Sequence, residues 1–396
     1  MERDELIARL REFAGAALVE RDGVCFLVDP GWGGRERAQW AALADRRAEE
    51  AVDGRPELGW LCIPTGGSSG AMKLARHDER TIGAAVEGFR EHFGVAQVNA
   101  LGLLPAWHVS GLMAWARCAW TRGVYRTAEW KRVERGERPA AAGTGGRGAE
   151  FVSLVPTQLA RLLGEPEAEA WLRGFRAVLL GGGPAWPELL NSARAAGVPL
   201  APSYGMTETA AMVAALRPEE FARTTGADGG AGRAMPGARA TVDATGRVVI
   251  ESASLFRGYW PGRRGDGAWR TDDLGETTPE GFLRVVGRSD ALIITGGEKV
   301  NPAEVEEALR ALGCFADVAV VGAPHPEWGS EVVALYPSGG DGARVDAAEA
   351  ARRLAAVLAP AKRPKRYLAV PAAEWPRDAR GKIDRAALGR RAAQMR

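Results

Sequence analysis

The stretch LCIPTGGSSGAMKLARHDERTI, Leu61–Ile82, runs from an apolar segment through Thr65-Gly66-Gly67-Ser68-Ser69-Gly70 to Lys73 and then to a helix start. A loop of hydroxyls and glycines ahead of a lysine has several uses. A Walker A phosphate loop needs Gly-x4-Gly-Lys-Ser/Thr. Ala71 and Met72 intervene before Lys73 and Leu74 follows it, so that pattern fails. Gly66 to Gly70 satisfies the Gly-x-Ser-x-Gly of a serine-hydrolase elbow, with Ser68 as nucleophile. That elbow passes from strand to helix at once, whereas Ala71 to Arg76 separate Gly70 from the next helix cap. Two readings remain beside it: a loop whose backbone N–H groups and hydroxyls wrap a polyphosphate, and an ordinary glycine turn.

Outward from this stretch, the first 225 residues alternate short apolar runs with helical patterns. ELGWLCIPT, VNALGLLP, FRAVLLGGG and VPLAPSYGMTET read as strands, and EFVSLVPTQLARLLG begins extended and turns helical after Pro156. DERTIGAAVEGFREHFG reads as a helix capped by Asp78 and stopped by Gly94, and AWPELLNSARAAG as another. Strand and helix in alternation predict a parallel, doubly wound α/β sheet, whose ligands sit beyond the carboxyl ends of the strands. From about Ala231 the texture changes. ARATVDATGRVVIES reads as a hairpin turned at Ala244-Thr245-Gly246, part of a small β-subdomain. After Asp290 comes a compact α+β unit ending in a basic tail. GERPAAAGTGGRGAE, Gly136–Glu150, contains Gly143-x-Gly145-x-x-Gly148, but no strand precedes it and a surface loop is expected.

The 396 residues suffice for two or three domains. With 52 basic and 50 acidic residues the net charge is +2, which gives no global attraction to nucleic acid or membrane. Four scattered cysteines, Cys25, Cys62, Cys118 and Cys314, form no CxxC or His/Cys cluster, which disfavours structural zinc and fits a reducing compartment. The start, MERDELIARLREFAG, is charged, and Leu6, Ile7, Leu10 and Phe13 follow helical spacing. No apolar run approaches the ~18–20 residues that span a bilayer. A soluble, cytoplasmic protein is expected.

Further segments suit a nucleotide. LLGGGPAWPELL sets Gly181, Gly182 and Gly183 at a strand end, where backbone can lie against a flat ring. SYGMTETA offers Thr207 and Thr209 hydroxyls around Glu208, and a carboxylate beside hydroxyls suits magnesium bridging phosphates. WRTDDLG carries Asp272 and Asp273, and a fixed carboxylate can grip a ribose diol. GRSDALIITGGEKVNP holds Arg288 and Asp290, and RDARGKIDR places Lys382 in a basic loop. Taken singly, each also reads as a turn or a solvated charge.

In this order, from Leu61 to Arg385, the motifs resemble the adenylate-forming superfamily of acyl-CoA synthetases, peptide-synthetase adenylation domains and luciferases. Met72 and Leu74 stand where that family has Pro and Gly around the lysine, and Trp269-Arg270-Thr271-Asp272-Asp273 replaces Tyr-x-Thr-Gly-Asp. IPTGGSSGAMKLARH, LPAWHVSGLMAW, FVSLVPTQLARLL and LLGGGPAWPELL narrow the resemblance to o-succinylbenzoate–CoA ligases of menaquinone and phylloquinone synthesis, with Met212 departing from an expected Gln.

The resemblance implies an α/β fold. Residues 1–289 would form a large N-terminal adenylate-forming domain of doubly wound sheets plus a small β-subdomain. Residues 290–396 would form a mobile small α+β C-terminal domain, hinged near Asp290. It implies ATP, Mg²⁺ and coenzyme A acting on 2-succinylbenzoate, with no nucleic acid, and a homodimer as in many relatives. By residue it implies Thr65, Gly66, Gly67, Ser68, Ser69, Gly70 and Lys73 at the β/γ-phosphates, Thr207 at the α-phosphate and Glu208 on Mg²⁺. Gly181, Gly182, Gly183 and Tyr204 would border the adenine, and Asp273 and Arg288 would bind the ribose. His108 would sit beside the acyl pocket and Lys382 would act in the first step. A ligase for another aryl or acyl acid, a catalytically dead nucleotide-binding homologue and the Ser68 hydrolase are the alternatives.

Overall fold

In the computed structural model, the residues described are 1–46, 59–66, 72–140, 150–224, 230–313, 315, 317–338, 346–377 and 383–395. The chain forms two compact units. One comprises Met1–Asp243, Val248–Thr271 and Thr277–Arg284; the other comprises Ala244–Arg247, Asp272–Glu276 and Val285–Arg396.

The larger unit is built on two sheets. The seven-stranded sheet runs in the order Arg233–Ala234, Ala211–Ala215, Leu200–Met206, Ala177–Leu180, Glu150–Leu154, Asn99–Gly102, Tyr125–Thr127. From Leu200–Met206 to Tyr125–Thr127 every pairing is parallel. The strand sequences are near-continuous apolar runs because both faces are buried, with successive side chains entering opposite cores. Val152, Leu154, Val178 and Leu180 meet Leu159, Leu172 and Leu189 of the helices Pro156–Leu162, Pro166–Leu172 and Pro187–Ala195. Phe151, Ala177 and Leu179 meet Phe89 and Phe93 of Glu79–Phe93, and Ala114 and Cys118 of Val109–Thr121. These two helices also pack against the second sheet, through Ile82, Val86, Leu112 and Met113 on Leu27, Leu61 and Ile63. They form a shared middle layer.

The expected helix signals hold. The Asp78 side chain accepts from Thr81 N–H and Thr81 Oγ1 accepts from Asp78 N–H, a capping box, and Gly94 ends the helix at φ 61°. The N-terminal helix Arg3–Ala14 buries Leu6, Ile7 and Leu10. The hairpin of Ala238–Val242 with Arg247–Ser252 is as predicted. Cys25, Cys62 and Cys118 are buried; Cys314 lies outside the described residues.

Strict strand–helix alternation fails in the second sheet. Its order is Leu18–Arg21, Val24–Leu27, Leu61–Gly66, Met72–His77, Gly258–Tyr259, and only the pairing of Val24–Leu27 with Leu61–Gly66 is parallel. Met72–His77, expected as a connector, is a strand, so the glycine loop joins two antiparallel strands. A hydrolase elbow needs a strand-to-helix turn there, and that reading fails.

The smaller unit contains a sheet in the order Glu298–Val300, Ile293–Thr295, Gly329–Ser338, Ala319–His325, with Arg366–Pro371 parallel to Gly329–Ser338. Helices Pro302–Ala311 and Ala347–Leu354 cover Val320, Val332 and Ala334. The tail after Asp384 is not merely basic. It is a helix, Arg385–Gln394, whose Leu388 and Ala392 pack on Val321, Val333 and Leu335. Arg385 anchors that helix on fully buried Glu306, which also accepts from Val320 N–H at 2.8 Å. No helix among the described residues is long and apolar enough to cross a membrane.

Candidate active site

The site is assembled in the larger unit where Met72–His77 meets the end of Leu200–Met206. Alternation along a strand puts Lys73, Ala75 and His77 on one face. Thr65 lies directly across from Lys73 in the hairpin. Gly67, Ser68, Ser69 and Gly70 lie outside the described residues, and Gly66 is the last residue of its strand, opposite Met72.

Thr207, Glu208 and Thr209 form a short turn after Met206, and all three are buried. The backbone leaves the turn through Ala210 at φ 51° and Ala211 at φ 73°, a left-handed pair costing roughly 1–2 kcal/mol per residue. The Thr209 hydroxyl offsets that strain. It accepts from Met206 N–H at 3.0 Å and sits 2.5 Å from the Ala211 carbonyl. The return strand then approaches so closely that a Cβ on Gly205 would lie 1.8 Å from Ala211 O.

Two groups hold this turn from outside. His77 is fully buried; its Nε2–H donates to the Thr207 carbonyl at 2.8 Å, so Nδ1, 3.0 Å from Thr81 Oγ1, is the acceptor. Burial pulls the imidazole down to about 4, against the raising effect of the Thr207 bond, so the ring is neutral. Phe256 N–H donates to the Glu208 carbonyl at 2.8 Å. The segment carrying Phe256 is tied back by Arg257, whose Nε donates to Asp78 Oδ2 at 2.6 Å. Burial would raise the Asp78 carboxyl, but Arg257 and the Thr81 N–H outweigh it and hold the group below its ordinary value. Tyr259, on the neighbouring strand, donates its hydroxyl to Glu208 Oε1 at 2.5 Å, and Lys73 Nζ lies 5.0 Å from the same ring's centroid.

The donor set fits magnesium in its usual nucleotide-bound form. One carboxylate, Glu208, is 7% exposed and follows buried Thr207 in the same turn, and no cluster of three or more His, Cys, Asp or Glu could cage an ion among the described residues. Magnesium carried by phosphates and water needs only one or two protein carboxylates.

Gly181, Gly182 and Gly183 follow the strand Ala177–Leu180, and Ser203 Oγ donates to Leu180 O at 2.9 Å beside them. Tyr204 is buried against Val213, Val248 and Ile250. His108 is the half-buried N-cap residue of Val109–Thr121, without a side-chain cap bond. In the smaller unit Arg288 joins the expected ribose ligands. Its Nη1 donates to Asp273 Oδ1 at 3.2 Å, while Nε and Nη2 grip both Asp290 oxygens at 2.7 Å. The Asp290 bonds raise the guanidinium's pKa, with Asp273 and Asp272 adding to it. Lys382 lies outside the described residues.

His77, Tyr259 and Arg117 carry structure that the motif reading passed over. The signal for His77 was its four-residue spacing from Lys73, visible only if 72–77 is a strand. Arg117, in the middle layer, is 4% exposed, with Cζ 4.1 Å from the Phe89 ring centroid. Burial lowers it to about 10, its Nε has no hydrogen-bond partner, and no carboxylate pairs with it among the described residues.

A parallel sheet, a glycine-rich sequence between the antiparallel strands Leu61–Gly66 and Met72–His77, and a buried carboxylate at a strand end define a class. Residues 7–260 match the AMP-binding enzyme family and residues 304–382 the AMP-binding enzyme C-terminal domain. The chain belongs to the AMP-binding enzyme family. Within it, the chain is 34% identical over 346 residues, 84% of each chain, to a probable 2-succinylbenzoate–CoA ligase of Mycobacterium tuberculosis. It is 30% identical to the indoleacetate–CoA ligase of Aromatoleum aromaticum, covering 93% of this chain and 74% of that one. The o-succinylbenzoate CoA synthetase (MenE) of Bacillus subtilis, solved with the acyl-adenylate intermediate OSB-AMP, is 25% identical with TM-score 0.71, covering 98% of this chain and 81% of that one. The same synthetase has been solved with ATP and magnesium ion.

Proposed function

We propose that this chain is an ATP-dependent 2-succinylbenzoate–CoA ligase acting through an acyl-adenylate, in menaquinone or phylloquinone synthesis. The observation that carries the chemistry is the convergence of Lys73 and Glu208 on Tyr259. It offers a cation and a metal-ready carboxylate where a polyphosphate would lie.

The substrate carboxylate attacks the α-phosphorus of ATP and pyrophosphate leaves. Coenzyme A thiolate then attacks the acyl carbon and AMP leaves. Charge grows on phosphate oxygens in the first step, so fixed donors and cations lower its barrier. Thr65, the Gly66–Gly70 loop with Ser68 and Ser69, and Lys73 bind the β/γ-phosphates, and Thr207 meets the α-phosphate. Magnesium, held by Glu208, neutralises phosphate charge when bound. Gly181, Gly182, Gly183 and Tyr204 border the adenine; Asp273 and Arg288 take the ribose. His108 borders the acyl site. Lys382 supports adenylation, and Asp290 is the hinge between residues 1–289 and 290–396. A cytoplasmic homodimer rests on resemblance alone.

Arg117 supports a dicarboxylate substrate. A buried guanidinium that no described carboxylate pairs is costly, and the ring carboxylate of 2-succinylbenzoate, which is not activated, is the anion proposed to pair with it. Indoleacetate has no such group. The test is pyrophosphate release with 2-succinylbenzoate, 4-phenyl-4-oxobutanoate (which lacks the ring carboxylate) and indoleacetate, with and without coenzyme A. Turnover of 2-succinylbenzoate at least ~10-fold above the others in kcat/KM is expected from loss of one charged hydrogen-bond partner. Preference for indoleacetate or a fatty acid would overturn the substrate and leave the ligase class standing.

A further inference from the structure

Lys73 and Glu208 carry opposite charges in one small site. Groups so placed tend to collapse into an ion pair, which would quench the cation meant for phosphate and the carboxylate meant for metal. Here each meets a different part of one side chain instead. Tyr259 donates its hydroxyl to Glu208 Oε1 at 2.5 Å, and no other described side chain bonds to that carboxylate. The Lys73 ammonium rests 5.0 Å from the Tyr259 ring centroid and forms no ion pair among the described residues.

Tyr259 is itself firmly placed. Its backbone pairs with Ala75, two residues from Lys73 on the same strand. Its ring meets Phe256 edge-on at 4.9 Å and Trp269 at 6.2 Å. Two residues earlier, Arg257 is bound to Asp78. The tyrosine thus belongs to the scaffold, while the groups it touches belong to the reaction.

We propose that Tyr259 is a positioning residue: its hydroxyl holds Glu208 ready for the divalent cation, and its ring holds Lys73 ready for the phosphates, keeping the two apart. This rests on the reading above that Glu208 serves the cation and Lys73 the phosphates. Neither contact cancels a charge: the hydroxyl bond occupies one carboxylate oxygen and leaves the other for metal, and the cation–π contact leaves the ammonium's N–H donors for phosphate. The two contacts are separable by substitution. Tyr259→Phe keeps the ring and removes the hydroxyl; Tyr259→Leu removes both.

The experiment uses the full chain as wild type, Tyr259→Phe and Tyr259→Leu. Mn²⁺ binding in the presence of a non-hydrolysable ATP analogue is followed by electron paramagnetic resonance. kcat and KM for ATP come from pyrophosphate release with 2-succinylbenzoate, and thermal melts report folding. Tyr259→Phe should melt like wild type, bind Mn²⁺ about tenfold more weakly and lose about tenfold in kcat, with KM for ATP within about threefold. Tyr259→Leu should in addition raise KM for ATP about tenfold. Wild-type Mn²⁺ affinity in Tyr259→Phe, or equal KM for ATP in the two variants, overturns the proposal. If wild type releases pyrophosphate with no acid while the Mn²⁺ affinities still fall in the expected order, the ligase reading fails and the role of Tyr259 stands.

Discussion

His77 shows how a buried neutral base becomes a pH liability. The folded ring resists protonation down to about 4, whereas the unfolded ring takes up its proton near 6.5. The unfolded chain therefore binds more protons between these values, and stability falls as pH drops through that window, by up to about 3 kcal/mol. His77→Gln should flatten the loss of melting temperature between pH 6.5 and 4, and circular dichroism melts across that range check it. Arg117 makes the opposite exchange. Arg117→Met removes a buried charge that no described carboxylate pairs, and should leave stability unchanged or raise it by about 1 kcal/mol or more. The same variant should lose ~10-fold or more of its preference for 2-succinylbenzoate over 4-phenyl-4-oxobutanoate. Melting and kcat/KM ratios measured together test both halves. Neither residue stands out in sequence. An arginine inside AWARCAW looks like a solvated helix position until Phe89 of the neighbouring helix is seen to cover it.

The elements reveal which signals were legible. The Asp78 capping box, Gly94 and the runs FVSLV and AVLL were readable because each is decided by local chemistry or by burial on both faces. Met72–His77 was not, because its alternation is broken by buried Arg76, which donates to the carbonyls of Gly59, Pro261 and Gly262 and stacks on Trp260. A charged residue turned inward there is explained only by chain far away in sequence. Helix Val109–Thr121 was missed for a related reason: a middle-layer helix is apolar nearly all round and shows no clean stripe. The hairpin from Leu200–Met206 to Ala211–Ala215 carries Thr207 and Glu208 at its turn, and Gly205 is where its strands crowd. Gly205→Ala should destabilise the larger unit by about 3 kcal/mol or more, since backbone must move to admit the methyl. Urea unfolding monitored by tryptophan fluorescence measures this.

At the scale of the whole molecule, two half-reactions with different nucleophiles are proposed to depend differently on the C-terminal residues. A cation ~4 Å from a developing charge is worth on the order of 4 kcal/mol at an effective dielectric of 20, about a thousandfold in rate. Lys382→Ala should therefore cripple adenylation and spare thioester formation from supplied acyl-adenylate; equal loss in both would remove Lys382 from the first step. Asp290→Pro should fix φ at the proposed pivot. Adenylate should still form while CoA transfer collapses, as single-turnover assays of each step would report. The five-stranded sheet bears on how the protein is made. Its edge strand Gly258–Tyr259 seals Met72–His77, and Arg76 finds its Pro261 carbonyl 185 residues further along the chain. At roughly 5–20 residues per second on the ribosome, that partner emerges about 10–40 s after the strand it covers. Throughout that interval the nascent chain exposes an open sheet edge bearing Lys73, an invitation to wrong pairing that chaperones must guard.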